Sequence, residues 1–168
     1  MPIQSKNPAT LEVTKTFKEL SEKELEAKLA KSAKAFEVWK KTSFAERAKL
    51  MKKLGEYLRE HAQELSKLQT LEMGKTMKSG PAGLVKCGAV CDYYADNAET
   101  ILAPERIIGD ESEERFVRFD PLGAVLAVMP WNFPFWQVYR FAVPAIMAGN
   151  VGLLKHASNV QGAAKELE

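Results

Sequence analysis

The spacing of apolar residues divides the chain into two unlike parts near Pro104. In the first part, apolar side chains recur every three or four residues, a spacing that places them on one face of a helix. In the second part they alternate with polar residues or form short unbroken runs, as in strands. The pattern therefore predicts a helical region at 21–103, a strand pair at 105–120 and a strand–helix–strand unit at 121–168.

Three helices are predicted in the first part, after an irregular or short-stranded lead-in at residues 1–20. Two of them start at capping boxes, in which a serine and the glutamate three residues later satisfy each other's backbone N–H groups. The boxes are Ser21 with Glu24 and Ser43 with Glu46. The third helix follows a break at 74–83, has Pro81 as an early helical residue, and runs to about Leu102.

Each predicted helix carries apolar residues at helical spacing. The stripe of the first helix is Leu25, Leu29, Ala33 and Phe36. The second, one long helix, keeps its stripe for about six turns, through Ala48, Met51, Leu54, Leu58, Ala62, Leu65 and Leu68. The third carries Val85, Ala89, Tyr93 and Ile101.

The segment at 105–120 is predicted to form two short strands around an acidic turn at 109–114. Alternation in the second strand places Val117 and Phe119 on one side. The other side holds Phe116 with two charged residues, so this strand is predicted to be half-buried.

The unit at 121–168 is the most informative part of the chain. The strand GAVLAVMP at 123–130 leads through the turn MPWNFPFW at 129–136 into a helix at 133–150, and a second strand follows at 151–157, before a helix-like segment. Open α/β sheets bind ligands at the carboxyl ends of their strands. Asn132 lies in the turn and Lys155 near the end of the second strand, so both are predicted to share one rim of a site.

Aromatic residues crowd the turn and the helix after it. Such a run is more often core, but its position near a strand end also suits the wall of a small-molecule tunnel, and Trp136 is our candidate for that wall. Arg140 lies seven residues after Phe133, two turns on and hence on a similar face of the helix, amid nearly uncharged sequence. A buried or tunnel-facing guanidinium needs an anion, and spacing leaves a protein carboxylate and a substrate carboxylate equally open.

Composition indicates a globular protein of one ordinary domain. The 168 residues are 46% hydrophobic and 27% charged, as in soluble domains. The 24 basic and 22 acidic residues leave a net charge of only +2, which predicts neither nucleic-acid nor membrane binding. No apolar run is long enough to span a bilayer, and the N-terminus lacks a signal-peptide pattern, so a cytoplasmic location is expected.

Several local features are predicted to have structural roles. Gly74-Lys75-Thr76 resembles the end of a phosphate-binding loop, but the earlier glycine is missing, so a glycine that ends a helix is the better interpretation. His61 is predicted to be solvated or half-buried. For His156, a ligand-facing backbone and a spacer role are equally open. Cys87 and Cys91, four apart on a helix, are interpreted as core thiols, and two ligands cannot complete a zinc site.

Seven segments spread along the chain carry a family resemblance. They are NPAT at 7–10, the junction from Trp39 to Arg47, LEMGK at 71–75, KCGAVCDYYADNAE at 86–99, PLGAVLAVMPWNFP at 121–134, PAIMAGN at 144–150 and LLKHASN at 153–159. Together they resemble the aldehyde dehydrogenase superfamily, specifically its succinate-semialdehyde dehydrogenase-like members. The resemblance implies an α/β fold in which residues 1–168 form the N-terminal part of the cofactor-binding domain, with N-terminal helices and the first part of a Rossmann-like parallel sheet.

The resemblance also implies a reaction and its residues. An aldehyde is oxidised to an acid through a cysteine thiohemiacetal, hydride transfer to NAD(P)+ and hydrolysis of a thioester. Asn132 matches an oxyanion donor, and Arg140 matches an arginine that grips a substrate's distal carboxylate, with Trp136 on the substrate side. The positions implied to border the cofactor are Pro130, Trp131, Asn132, Lys155, His156, Ala157 and Ser158.

Two of these residues bear on cofactor choice. Lys155 matches the lysine that contacts the adenosine ribose hydroxyls or a 2′-phosphate. Ser158 stands where many NAD-preferring members carry a glutamate, and its hydroxyl removes repulsion against a 2′-phosphate. NADP is therefore the expected cofactor, with NAD as the alternative.

The resemblance also implies that residues 1–168 lack the catalytic residues of the family. No position up to 168 matches the family's nucleophilic cysteine, general-base glutamate or pyrophosphate loop, and without a thiolate no thiohemiacetal forms. The chain is interpreted as the N-terminal portion of an NADP-preferring, homo-oligomeric aldehyde dehydrogenase, inactive alone. The alternative is a non-catalytic remnant that binds a nucleotide or a partner subunit. A third hypothesis is an unrelated helical binding module, and the strand–turn–helix pattern disfavours it.

Overall fold

Helices precede a small parallel sheet in the computed structural model, which describes residues 3–107 and 114–168. A hairpin of β1 (Ile3–Lys6) and β2 (Val13–Phe17) comes first, so the lead-in is short-stranded. Four helices follow, and then β3 (Glu105–Ile107) and β4 (Arg115–Val117) form a second antiparallel pair. The helices are α1 (Glu22–Trp39), α2 (Phe44–Glu60), α3 (Ala62–Met73) and α4 (Gly80–Ile101).

The strand–helix–strand unit forms as predicted. It consists of β5 (Ala124–Met129), α5 (Trp136–Met147) and β6 (Val151–His156), followed by the short helix α6 (Gln161–Glu166). β5 and β6 pair in parallel from Ala124 opposite Val151 to Met129 opposite His156. The crossover helix α5 returns the chain so that both strands end at the same edge.

Both predicted capping boxes are present. In α1 the Glu24 N–H donates to Ser21 Oγ at 3.3 Å, and the Ser21 N–H donates to the Glu24 carboxylate at 2.7 Å. In α2 the equivalent distances between Ser43 and Glu46 are 3.2 and 2.7 Å. Each box satisfies two backbone donors that a helix start would otherwise leave without partners.

The prediction of one long second helix is wrong, because the helix is interrupted at His61. His61 has φ −96° and ψ 12°, between the end of α2 and the start of α3. Its Nδ1 lies 3.0 Å from the carbonyl oxygen of Tyr57, and its ring stacks on the Tyr57 ring at 4.0 Å. The residues of the apolar stripe are buried or half-buried on both sides of the break, so residue spacing gave no sign of the break.

Gly74 ends α3 as predicted. Its φ of +77° lies in the left-handed region that glycine adopts without a steric cost, and its N–H donates to the Thr70 carbonyl at 3.0 Å. The break that follows is shorter than predicted, because α4 already begins at Gly80, with Pro81 as its second residue. Gly74-Lys75-Thr76 therefore follows the end of a helix and does not form a phosphate-binding loop.

The face of α4 that packs inward differs from the predicted one. Val85, Ala89, Tyr93 and Ile101 are exposed, and the buried face is Leu84, Cys87, Gly88, Cys91 and Ala98. Both sets have helical spacing, but the buried set carries the small residues that let another helix approach closely. The cysteines therefore lie in the core, as predicted.

Two predicted apolar surfaces are not buried in the described chain. No residue of α1 is buried, and Leu25 and Leu29 of its stripe are exposed. All described residues of β3 and β4 are exposed, so the prediction that the second of these strands is half-buried is wrong. Apart from Glu114, the predicted acidic turn at 109–114 lies outside the described residues.

The core lies where α2, α4 and α5 meet. Its largest fully buried side chains include Leu58 of α2, Leu84 of α4, and Val143 and Met147 of α5. α5 also packs on the β5–β6 sheet, where a Cβ placed on Gly152 would lie 3.9 Å from the Phe141 ring. Helix α5 thus connects the sheet to the helical core, and the turn at 129–136 leads directly into α5.

Helix α2 crosses α4 at close range. A Cβ placed on Gly88 would lie 2.9 Å from both the Gly55 carbonyl oxygen and Arg59 Nη1. A Cβ on Gly55 would lie 3.1 Å from the Gly88 carbonyl oxygen. The two glycines let the backbones touch, and Arg59 then pairs with Asp92 across the crossing at 2.8 Å.

Replacing Gly88 with alanine tests this crossing. We expect Gly88→Ala to reduce the free energy of unfolding by about 1–3 kcal/mol, because the added methyl overpacks the α2–α4 contact. Urea unfolding followed by circular dichroism measures the change. The matched control is Gly83→Ala on the same helix, where the nearest atom is Lys75 Nζ at 3.6 Å, and alanine should gain about 0.5–1 kcal/mol. Equal effects of the two substitutions would contradict the close crossing.

Candidate functional site

The predicted site residues lie at the carboxyl edge of the β5–β6 sheet. Met129 pairs with His156 at that edge, and Val128 pairs with Lys155 one residue earlier. Asn132 follows Met129 in the turn before α5 and is exposed, as is Lys155. The structure therefore brings the two predicted strand ends together, with Lys155 on the opposite sheet face from His156, because side chains alternate along a strand.

The turn is fixed from its helical end. The Phe133 carbonyl accepts from the Gln137 N–H at 2.9 Å, and the Phe135 carbonyl accepts from Tyr139 at 3.0 Å. The side chain of Phe135 is only 2% exposed and joins the core, while Pro134 is also buried. In contrast, Pro130, Trp131, Asn132 and Phe133 are exposed. The tip of the turn thus meets solvent while its base is held in the core.

His156 is buried at this edge, at 5% exposure. Its Nε2 lies 2.9 Å from the carbonyl oxygen of Pro134, and its Nδ1 accepts from the Ala157 N–H at 2.9 Å. Both ring nitrogens are therefore occupied by backbone groups. The side chain of His156 therefore has a structural role. Beyond it, Ala157 is half-buried and Ser158 is exposed.

Asn150 closes the opposite end of the unit. Its side-chain oxygen accepts from the N–H groups of Leu122 and Gly123 at 2.7 and 3.1 Å, and its amide donates to the Ala145 carbonyl at 3.2 Å. One buried side chain thus joins the end of α5 to the start of β5. Asn150 was recognised from the sequence only as part of a family motif, and its role in joining α5 to β5 was not predicted.

Lysines from the helical region lie over the aromatic rings of the site. Lys86 Nζ is 3.9 Å from the centroid of the half-buried Trp136 ring, and Lys75 Nζ is 4.5 Å from that of Phe133. Cations at these distances are attracted by the ring faces. Sequence reasoning missed both contacts, because the lysines precede the turn by many residues and resemble ordinary surface lysines.

Arg140 lies one turn of α5 beyond Trp136 and is exposed. Residues four apart on a helix are neighbours on its surface, so the guanidinium and the indole share one side of α5. Within residues 3–107 and 114–168, no ion pair to Arg140 is found. The described protein residues therefore offer no carboxylate that neutralises it.

Two further buried polar side chains escaped sequence reasoning. Arg47 donates to the Met147 carbonyl at 2.8 Å and to the Thr42 carbonyl at 2.7 Å. Glu72 accepts from the Gly162 and Ala163 N–H groups at 2.7 and 2.9 Å, and also from the Ser5 hydroxyl. Both residues lie in segments that carried the family resemblance, and that is the signal that could have identified them.

The two cysteines cannot serve as ready nucleophiles. Burial raises the pKa of each thiol to about 12, with the neighbouring Cys91 adding to the effect on Cys87 and Asp92 to that on Cys91. No cluster of metal-ligating residues is found in the described ranges. Among the described helices, none is both long and apolar enough to cross a membrane.

Comparison with known proteins agrees with this geometry. The model of the aldehyde dehydrogenase family matches residues 1–167. A "probable succinate-semialdehyde dehydrogenase (NADP+)" of Synechocystis sp. is 49% identical over 160 residues, which are 95% of this chain and 35% of that protein. Succinate-semialdehyde dehydrogenase (NADP+) 1 of Mycobacterium tuberculosis is 47% identical over 162 residues, again covering 95% of this chain and 35% of the relative.

A solved structure extends the comparison to three dimensions. Succinic semialdehyde dehydrogenase from Streptococcus pyogenes, in complex with NADP+, superposes with a TM-score of 0.93 at 30% identity, covering 98% of this chain and 36% of the other. The chain therefore spans about a third of the length of the curated relatives that it matches.

Thiol labelling tests the burial of the cysteines. We expect the native chain at pH 8 to react only slowly with a disulfide reagent, because a pKa of about 12 leaves about one thiolate in ten thousand. Because the pKa is raised, the thiolate fraction increases only as the pH approaches that value. In denaturant, both thiols should react within the mixing time. Rapid labelling of either cysteine without unfolding would contradict the buried placement.

Proposed function

The chain belongs to the aldehyde dehydrogenase family, and from that premise we propose that it carries the oxyanion donor and part of the cofactor and substrate sites for NADP-dependent oxidation of succinate semialdehyde to succinate. The observation that carries the proposal is the shared edge of the sheet, where Lys155 pairs with Val128 near the end of β5 and Asn132 follows that strand by three residues. The NADP-dependent succinate-semialdehyde dehydrogenases that resemble the chain support the choice of reaction.

Asn132 is proposed to donate its side-chain amide to the aldehyde oxygen as negative charge develops there. Its exposed position on a turn with a buried base suits this role, because the donor is held before substrate arrives. Loss of one such donor costs about 2.7–4 kcal/mol in comparable sites. The amide has a fixed direction only if the turn is rigid, which links this role to the hydrogen bonds beneath it.

Lys155 and Ser158 are proposed to hold the adenosine end of the cofactor. Both are exposed beside the sheet edge, where an ammonium and a hydroxyl fit a 2′-phosphate and the adjoining ribose without a carboxylate to repel it. Trp131, exposed at the turn, and the half-buried Ala157 border the same edge, with Pro130 and His156 forming its backbone. When bound, NADP+ would supply the oxidant for the reaction.

Arg140 and Trp136 are proposed to form the substrate side. The exposed guanidinium has no carboxylate partner among the described residues, so it is available for a carboxylate on the substrate. Arginine binds carboxylates through two parallel hydrogen bonds, which favours a semialdehyde over a neutral aldehyde. Trp136, half-buried beneath Lys86, supplies an apolar wall next to the Arg140 guanidinium.

For the 168-residue chain alone we propose no turnover. Both of its cysteines are buried, with pKa values raised to about 12, so no thiolate is available near Asn132. A non-catalytic role, in which the chain binds nucleotide or pairs with a partner, is the second candidate. It is favoured by the apolar side chains that β5 leaves exposed, such as Leu126 at 63% and Val128 at 64%.

A turnover assay tests the inactivity of the chain alone. We expect the pure chain to produce no NADPH from succinate semialdehyde and NADP+ above the rate without protein, because it offers no nucleophilic thiolate. The absorbance of NADPH is the readout, and the double variant C87S/C91S is the control. A rate that rises in proportion to pure chain and disappears in the double variant would overturn the proposal.

A substitution at Ser158 tests the cofactor site. We expect Ser158→Glu to weaken NADP+ binding by about fivefold, because an exposed carboxylate repels a nearby phosphate by about 1 kcal/mol. NAD+, which lacks the 2′-phosphate, should bind S158E as it binds the original chain. Titration followed by amide NMR shifts at Lys155 and Ala157 measures both affinities, and S158Q controls for side-chain size. Equal losses for the two cofactors would count against Ser158 at the phosphate.

A further inference from the structure

We infer that His156 is a positioning residue that closes the turn carrying Asn132 and thereby fixes the direction of the Asn132 amide. The inference rests on the proposed function only in giving Asn132 a catalytic role. The closure itself concerns hydrogen bonds that exist whether or not Asn132 contacts a substrate. The family resemblance placed His156 among the positions that border the cofactor, whereas the new role belongs to its side chain and concerns the turn.

One residue holds both ends of the turn. At the first end, Met129 is the last residue of β5 and pairs with His156 in the sheet. At the second end, Nε2 of the same histidine lies 2.9 Å from the Pro134 carbonyl oxygen. The segment from Met129 to Pro134 is therefore a loop with both ends on one residue, and Asn132 lies inside it.

The hydrogen bonds of the ring define its tautomer. Nδ1 accepts from the Ala157 N–H at 2.9 Å, so it carries no proton. Nε2 must then carry the proton and donate it to the Pro134 carbonyl, because a neutral imidazole has one donor and one acceptor. At 5% exposure the ring has little access to water that could replace either partner.

The turn has few other restraints. Pro130 and Pro134 have no N–H to donate. In the described part of the chain, the tip residues Trp131 and Asn132 take part in no hydrogen bond, and their side chains are exposed. Phe133 is held through its carbonyl by Gln137 and its ring lies under Lys75, but neither contact is to the sheet. The histidine bond is thus the restraint that ties the turn back to the sheet.

Two substitutions separate the roles of the two ring nitrogens. Glutamine places an amide N–H near the position of Nε2, so His156→Gln can still donate to the Pro134 carbonyl. The shorter asparagine places its oxygen near Nδ1, so His156→Asn can accept from Ala157 but cannot reach Pro134. The matched control is His61→Gln, at the only other histidine of the sequence, which lies at the α2–α3 break.

Nuclear magnetic resonance on the isotope-labelled 168-residue chain tests the inference. In the original chain, the His156 ring should show the signature of the Nε2–H tautomer, and the amides of Trp131, Asn132 and Phe133 should have order parameters of about 0.85. In H156N, these three values should fall below about 0.6, while those in α2 and α4 stay unchanged. H156Q and H61Q should retain the original values.

Each result bears on the inference. An Nδ1–H tautomer would overturn it, as would a folded H156N with an unchanged turn, or an H156Q that loosens the turn as much as H156N. If H156N fails to fold, the tautomer and the behaviour of H156Q still decide. A failure of the proposed chemistry would show separately, as cofactor titrations that leave Lys155 and Ala157 unshifted while the order parameters hold.

Discussion

The structure depends on one constraint, which is that backbone groups leaving a helix or strand inside the protein must still find hydrogen-bond partners. At the places where the chain turns between elements of the core, buried side chains meet this need. Each contacts backbone far from its own position in the sequence. The pairs are Arg47 with Met147, Glu72 with Gly162 and Ala163, Asn150 with Leu122 and Gly123, and His156 with Pro134. An unmet buried group would cost about 1–3 kcal/mol, so these contacts fix where the turns can lie.

The same contacts explain how the site is divided. Buried side chains such as His156 and Asn150 hold the ends of the turns, whereas Asn132 on the turn, Lys155 on β6 and Arg140 on α5 are exposed to solvent. The buried residues fix the positions of the turns through hydrogen bonds, whereas the exposed residues offer hydrogen-bond donors and charge to a ligand. A site built this way keeps its donors in place without using them for its own stability.

Much of the fold could be predicted from residue spacing, because amphipathic stripes and capping boxes are local signals. The strand–turn–helix unit and the end of α3 at Gly74 are examples. The inward face of α4 could not be predicted, because two sets of residues shared the helical period and only packing against Gly55 selects between them. The break at His61 escaped because it leaves the apolar stripe in phase. The shared edge of the site was predictable from the order of the strands. The hydrogen bond of His156 to Pro134 was not, because it forms only when the fold brings two distant residues together and no local pattern encodes that contact.

The buried carboxylate of Glu72 has a consequence for the order in which the protein can fold. Its partners Gly162 and Ala163 lie 90 and 91 residues further along the chain, while Ser5 precedes it by 67. As the polypeptide emerges from the ribosome, β1 and α3 are complete long before the start of α6 exists. Until that start arrives, the carboxylate must stay hydrated, so this corner of the molecule cannot close progressively from the N-terminus. Its assembly therefore depends on a long-range contact that waits for residues 162 and 163 to be synthesised.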